Sequence, residues 1–311
     1  MAKLKIVFFG TPEFAVPTLE ALAHDERFEV VLIVTNPDAH TGRKQEFVSS
    51  PVCKVAFTLG IPIFKPESLK NNDVVEFLTN AHADYFVVLA YGKIFPKNIL
   101  DIPKIGCINV HGSLLPKYRG ASPVQSALMA GDTQTGITII LMNEKMDEGD
   151  ILEKHTLPIE IFETTETLMK KLSIQAATYL PETLKNFAEG AVLQKSQNNN
   201  LATYTKKLQK EDGYFNPLLQ NSENILWKWK GVTPWPSLFT FVDHKRMKLL
   251  SISLSNEIVQ PGLFLLKDNR LFIGTKKGSL EILSLHIEGK RAMNASEYCS
   301  GLQGRMPIWT E

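Results

Sequence analysis

Residues 4–22 read LKIVFFGTPEFAVPTLEAL and pass from one kind of secondary structure to another within a single turn. Leu4–Phe9 is an apolar run of the kind that a strand buried on both faces requires. Gly10-Thr11-Pro12 is turn and helix-start chemistry. Thr11 offers an N-cap, Pro12 suits the first helical position, and Glu13 stands near the positive end of the helix dipole. Phe14, Leu19 and Leu22 then fit the buried side of a helix. The run is too short for a signal-peptide core or a membrane span. The turn lacks the further glycines of a dinucleotide-binding fingerprint.

The same alternation continues downstream. Glu29–Thr35 (EVVLIVT), Ile61–Lys65, Ala83–Tyr91 (ADYFVVLAY) and Gly106–His111 (GCINVH) read as strands, with helical stretches such as Asp73–Ala81 and Val124–Ala130 between them. Repeated strand–helix–strand units predict an α/β fold, a doubly wound, mainly parallel Rossmann-like sheet. Gly136–Met142 and Ile151–Pro158 follow, separated by an acidic loop too short for a parallel crossover, so they are expected to pair antiparallel. Thr164–Glu189 predicts a long helix with Leu168, Leu172, Ala176, Tyr179 and Leu180 near one face.

The character changes after Glu189. Gln194–Asn200 (QKSQNNN) is polar and aperiodic, as a linker would be. A short helix around Ser222–Lys230 precedes strands at Phe239–Val242, Lys248–Leu254, Gly262–Leu266, Arg270–Gly274 and Ser279–Ile287, with turn signals between them. This pattern predicts a small C-terminal β-barrel of the OB type. The expected division is a catalytic domain over residues 1–189, a linker over 190–207 and a second domain over 208–311.

At 311 residues with a formal charge of +1, the chain has room for two domains and is not a globally basic binder. Contact with a polyanion must come from local clusters. Lys206 and Lys207, with Lys210 close by, form one; Lys245, Arg246 and Lys248 form another. The three cysteines, Cys53, Cys107 and Cys299, are widely spaced. No C-x-x-C or H-x-x-x-H pair occurs, so neither a disulfide framework nor a metal site is expected, and a reducing, cytoplasmic setting fits.

Chemistry concentrates in residues 108–125, INVHGSLLPKYRGASPVQ. Side chains two apart on a strand share a face, so Asn109 and His111 point the same way. They stand at the carboxyl end of a parallel strand, where open α/β sheets bind ligands. An amide beside an imidazole suits a reaction that generates a negative oxygen, because Asn donates an N–H and His can donate or shuttle a proton. The loop around MDEGDI offers a carboxylate to orient the imidazole. On spacing alone, Glu144, Asp147, Glu148 and Asp150 are all candidates.

INVHGSLLPKYRG, followed about thirty residues later by MDEGDIL, resembles the signature of the folate-dependent formyltransferases. That resemblance implies Asn109, His111 and Asp147 as catalytic residues, and Ser113, Leu114, Leu115 and Pro116 as lining of a folate cleft. FFGTPEFAVPTLEAL, the TNPD…GR loop, VVLAYGKIFPKNIL, TPWP and LHIEGKRAM are similar to the branch of the family that acts on methionyl-tRNA, and together they span both expected domains. The implied reaction moves the formyl group of 10-formyltetrahydrofolate to the α-amine of methionyl initiator tRNA, without a metal. In that branch the loop matching residues 36–50 enters the acceptor stem, which makes Arg43 and Lys44 candidate tRNA contacts alongside Lys206 and Lys207. Two other readings stay open: a formyltransferase of the same fold acting on an amino-sugar nucleotide, and a non-catalytic folate- or RNA-binding module.

Overall fold

The computed structural model describes residues 2–41 and 46–310, and the chain divides into two compact units. The first comprises Met1–Pro123, Gln134–Pro158 and Met169–Lys206. Its strands are β1 (Leu4–Gly10), β2 (Phe28–Val34), a hairpin of β3 (Ala39–Thr41) and β4 (Glu46–Val48), β5 (Ile63–Phe64), β6 (Tyr85–Leu89), β7 (Gly106–His111), β8 (Arg119–Gly120), β9 (Gln134–Leu141), β10 (Asp150–Pro158) and β11 (Tyr204–Thr205). Seven of these form one sheet in the order β10-β9-β7-β6-β1-β2-β5.

The strands from β7 to β5 are parallel, whereas β9 runs antiparallel to β7 and to β10. This is the mainly parallel sheet with an antiparallel pair at one side that the sequence predicts. Ile6 to Phe9 are fully buried in β1, as a central strand covered on both faces must be. The ring of Phe9 packs against Phe86, Tyr91 and Phe95 at centroid distances of 5.1, 5.5 and 5.0 Å.

The first helical turn departs from expectation. Residues Glu13–Ala15 form a 3-10 turn, and the α-helix α1 (Val16–His24) begins later. Pro17 is the reason, since a proline without an N–H sits comfortably only in a first helical turn. Thr11 is therefore not a cap. Its Oγ1 accepts instead from Nδ2 of Asn36 at 3.0 Å, tying the end of β1 to the end of β2. Four further helices of this unit are α2 (Pro51–Leu59), α3 (Asn72–Thr79), α4 (Lys97–Leu100) and the long α6 (Thr165–Ala188), whose first residues fall in the second unit; α5 (Pro123–Met129) lies almost wholly there.

The second unit comprises Val124–Thr133, Ile159–Leu168 and Lys207–Glu311. It carries α7 (Ser222–Val232), α8 (Ala295–Gly301) and an antiparallel, barrel-like sheet. The strands are β12 (Leu238–Val242), β13 (Lys245–Ser255), β14 (Phe264–Lys267), β15 (Arg270–Gly274), β16 (Ser279–Ile287), β17 (Ala292–Asn294) and β18 (Trp309–Thr310). They run in the order β14-β15-β16-β13-β12-β18, with β17 added to β16. The β13–β16 register slips on either side of Ser251, an irregularity of the kind that bends a long strand pair and lets a sheet curl. Met247, Leu249 and Ile252 of β13 point into a core shared with Ile225 and Val232 of α7. Among the described residues, no helix is long and apolar enough to cross a membrane.

Candidate active site

Strand β7 ends in the pair that the sequence singles out. The Asn109 side chain is half-buried, and its amide has no hydrogen-bond partner among the described residues. His111 is 6% exposed, and its Nε2 lies 2.9 Å from the carbonyl oxygen of Tyr118. A carbonyl only accepts, so Nε2 carries the hydrogen. In the neutral ring Nδ1 is then the free base.

That nitrogen faces Oδ2 of Asp147 at 3.6 Å. The gap is long for a hydrogen bond. Asp147 occupies the loop between β9 and β10 with a φ of 53°, a left-handed conformation that its surroundings must hold. The N–H of Gly120 does so by donating to Oδ2 at 2.7 Å.

The other acidic residues of that loop are engaged elsewhere or open to solvent. Glu148 pairs with Arg119 at 3.3 Å, Asp150 accepts from Ser196 Oγ at 2.9 Å, and Glu144 is exposed. Among the described residues, Asp147 is the carboxylate that faces His111.

The segment read as linker supplies the backing of this site. Tyr118 N–H donates to Oγ1 of Thr203 at 2.8 Å, and Arg119 N–H to the Thr203 carbonyl at 2.8 Å. Strands β8 and β11 then pair, Arg119 with Tyr204 and Gly120 with Thr205. Gln197 Nε2 donates to the carbonyls of Asp147 and Gly149, both at 2.8 Å. None of these partners follows from the sequence, because their separations leave no local pattern. The one clue is an arginine inside the INVHGSLLPKYRG stretch.

The 113–116 loop is fastened from below. Ser113 and Leu115 side chains are wholly buried; Ser113 Oγ donates to the Lys117 carbonyl at 2.6 Å, and Leu115 packs with Ile140 and Ile151. Thr138 Oγ1 donates to the Ser113 carbonyl at 2.6 Å and accepts from Leu115 N–H at 3.0 Å. The Leu115 carbonyl accepts from Lys154, whose pKa burial pulls below the usual lysine value. Leu114 and Pro116 are half-buried. Lys206 and Lys207 are exposed at the close of the first unit and the start of the second. Arg43 and Lys44 lie outside the described residues.

A cavity of about 640 Å³ borders the same acidic loop, lined by Leu100, Cys107, Met142, Asn143, Glu148 and Gln197 among others. Its volume is that of a small-molecule pocket. Among the described residues, no three His, Cys, Asp or Glu side chains gather as a metal site would need.

Comparison with known proteins adds a second line. Residues 4–184 match the Formyl transferase family and residues 207–303 the Formyl transferase, C-terminal domain. A methionyl-tRNA formyltransferase of Thermodesulfovibrio yellowstonii is 40% identical over 297 residues, covering 95% of each chain. One of Caldanaerobacter subterraneus subsp. tengcongensis is 39% identical over 304 residues, covering 96% of this chain and 97% of its own. Among solved structures, an N-formyltransferase from Helicobacter canadensis in complex with folinic acid and dTDP-3-aminofucose has a TM-score of 0.64 at 18% identity, covering 91% of this chain and 99% of that one. HypX from Aquifex aeolicus in complex with tetrahydrofolic acid has a TM-score of 0.66 at 16% identity, covering 100% of this chain and 51% of that one.

Proposed function

The chain belongs to the formyltransferase family and formylates methionyl initiator tRNA, and we propose that it draws the formyl group from 10-formyltetrahydrofolate and transfers it at Asn109, His111 and Asp147. The observation that carries the acceptor is the identity of 40% across 95% of both chains with a relative named for methionyl-tRNA. The sugar N-formyltransferase resembles this chain in fold alone, at 18% identity.

The residues support the following sequence. A free α-amino group has a pKa of about 7.7–8.0, so part of it is a neutral nucleophile near neutral pH. Its nitrogen bonds to the formyl carbon while the carbonyl electron pair moves onto oxygen. Asn109, whose amide is otherwise unpartnered among the described residues, donates to that oxyanion; one such donor contributes about 3–4 kcal/mol to transition-state stability. His111 takes the proton leaving the amine at Nδ1, the ring nitrogen left free by the bond to Tyr118. The charged ring supports the oxyanion from a second side, and Asp147 at 3.6 Å stabilises it. When the carbonyl re-forms, the bond to the folate nitrogen breaks, and His111 returns the proton to that nitrogen.

Folate fits what surrounds the centre. In this reading Leu114, Pro116 and the backbone around Ser113 and Leu115 line its approach. The cavity of about 640 Å³ is lined by neither the three catalytic candidates nor residues 113–116, and this reading does not place folate in it. Lys206 and Lys207, with Arg43 and Lys44, meet the phosphates of the tRNA. The cytoplasm is the compartment this reading assigns, and the three free, buried cysteines suit a reducing one.

The deciding experiment supplies 10-formyltetrahydrofolate with charged initiator tRNA and assays N-formylmethionine. A parallel reaction offers a UDP-amino-sugar. Formylation of the sugar with none of the tRNA would replace this reading with the sugar-directed one.

A further inference from the structure

We propose that Arg119 is a positioning residue for formyl transfer: its buried guanidinium locks the loop that carries Asp147 and so holds the Asp147 carboxylate against His111. The proposal rests on the reading of Asp147 as the catalytic carboxylate.

Arg119 is 0% exposed, and a buried guanidinium is tolerated only when its charge and donors are met. Its Nε and Nη2 donate to Oε1 of Gln197 at 3.1 and 2.8 Å. Nη2 also donates to Oδ1 of Asn199 at 2.7 Å, and Nη1 to the hydroxyl of Tyr204 at 3.1 Å. Nη1 stands 3.3 Å from Oε1 of Glu148.

Three of its four branches, through Gln197, Tyr204 and Glu148, lead back to residues 147–149; the Tyr204 hydroxyl lies 3.4 Å from Oε1 of Glu148. Glu148, the counter-ion, directly follows Asp147. Gln197 presents its oxygen to Arg119, which turns its Nε2 toward the carbonyls of Asp147 and Gly149. Gly120, whose N–H fixes Oδ2 of Asp147, directly follows Arg119. The Asp147 loop is thus held through its main chain by Gln197, through its neighbour by Arg119, and at its carboxylate by Gly120. A left-handed aspartate keeps that conformation only while such holds persist.

Arginine is the residue type this demands. A planar fork of five N–H groups reaches Gln197, Asn199, Tyr204 and Glu148 together, whereas a lysine ammonium has three donors and no fork. An arginine that merely filled space would not need three of its partners to converge on one loop.

The test compares the wild-type enzyme with Asp147→Asn, Arg119→Lys, Gln197→Ala, and each of the last two combined with Asp147→Asn. Arg119→Lys and Gln197→Ala are expected to lower kcat about 10- to 100-fold, as loss of a group that orients a reacting side chain does, with KM for tRNA and donor held within about twofold. In the Asp147→Asn background neither should slow the reaction further. Losses that multiply in the double variants would overturn the proposal, as would a loss confined to KM or a wild-type kcat in both folded single variants. If Arg119→Lys does not fold, Gln197→Ala decides by the same criteria. A wild-type kcat in Asp147→Asn alone would instead refute the assignment of Asp147, and the role of Arg119 with it.

Discussion

The main-chain N–H of Gly120 donates to Oδ2 of Asp147 at 2.7 Å, and that same oxygen faces Nδ1 of His111 at 3.6 Å. The carboxylate is therefore aimed by backbone, which has no rotamers to lose. The imidazole is anchored at its far nitrogen by the Tyr118 carbonyl. Each partner is fixed from outside.

Gly120→Ala should disturb this arrangement strongly. A Cβ there would lie 2.3 Å from the Thr205 carbonyl oxygen, at a φ of 110° that side chains rarely adopt. We expect a loss of about 2–4 kcal/mol in denaturant unfolding together with slower turnover. Gly60, which ends α2 at a φ of 67° with nothing within 4 Å, supplies the control. Gly60→Ala meets backbone strain alone and should cost about 1 kcal/mol, without an effect on turnover.

Asn109→Ala and His111→Ala should each slow single-turnover formyl transfer by about 10²–10³-fold, the loss typical of one transition-state donor. Binding of tRNA should be almost untouched. Near-normal single-turnover rates in either variant would remove it from the reaction.

Much of this site was legible in advance, and for a local reason. Gly106–His111 is bounded by glycines, and its period of two sets Asn109 and His111 on one face whatever the rest of the fold does. The antiparallel pairing of β9 and β10 followed from the shortness of the loop between them. What was hidden depends on partners far away. Arg119 and Gln197 are 78 residues apart, and Tyr118 and Thr203 are 85. Residues that serve as hydrogen-bond partners need no apolar period, so QKSQNNN carries the same signature as a solvated tether. Val124–Thr133 and Ile159–Leu168 join the second unit by contacts that a linear reading of the chain does not display.

Acid stability should depend in part on Asp25. Its carboxylate accepts from Nε, Nη2 and the N–H of Arg27, and those bonds hold its pKa below the ordinary carboxylate range. A carboxylate with a lower pKa in the folded than in the unfolded chain stabilises fully above the unfolded value of about 3.9. Arg27 is 39% exposed, so solvent screening limits the loss in Asp25→Asn at neutral pH to about 0.5–1 kcal/mol. The difference between the two proteins should close as pH falls from about 4 through the folded pKa. A gap that persists below that range would mean the bonds contribute nothing through charge.

For tRNA, kcat/KM should fall steeply with added salt, since phosphate contacts release counter-ions. Lys206→Ala combined with Lys207→Ala should flatten the logarithmic slope by about one for each lysine that meets a phosphate. Arg43→Ala should act in the same direction. A wild-type slope in the double lysine variant would show that neither lysine touches the tRNA.

The reach of Gln197, Thr203 and Thr205 back to the strand-end loop sets the size of any portable catalytic fragment. Excision at the end of α6 would preserve all seven strands of the large sheet, yet it would discard the donors and acceptors that point Asp147 and the Tyr118 carbonyl. Chimaeras that exchange the second unit between relatives should accordingly be joined beyond Thr205, some fifty residues past the last strand of that sheet.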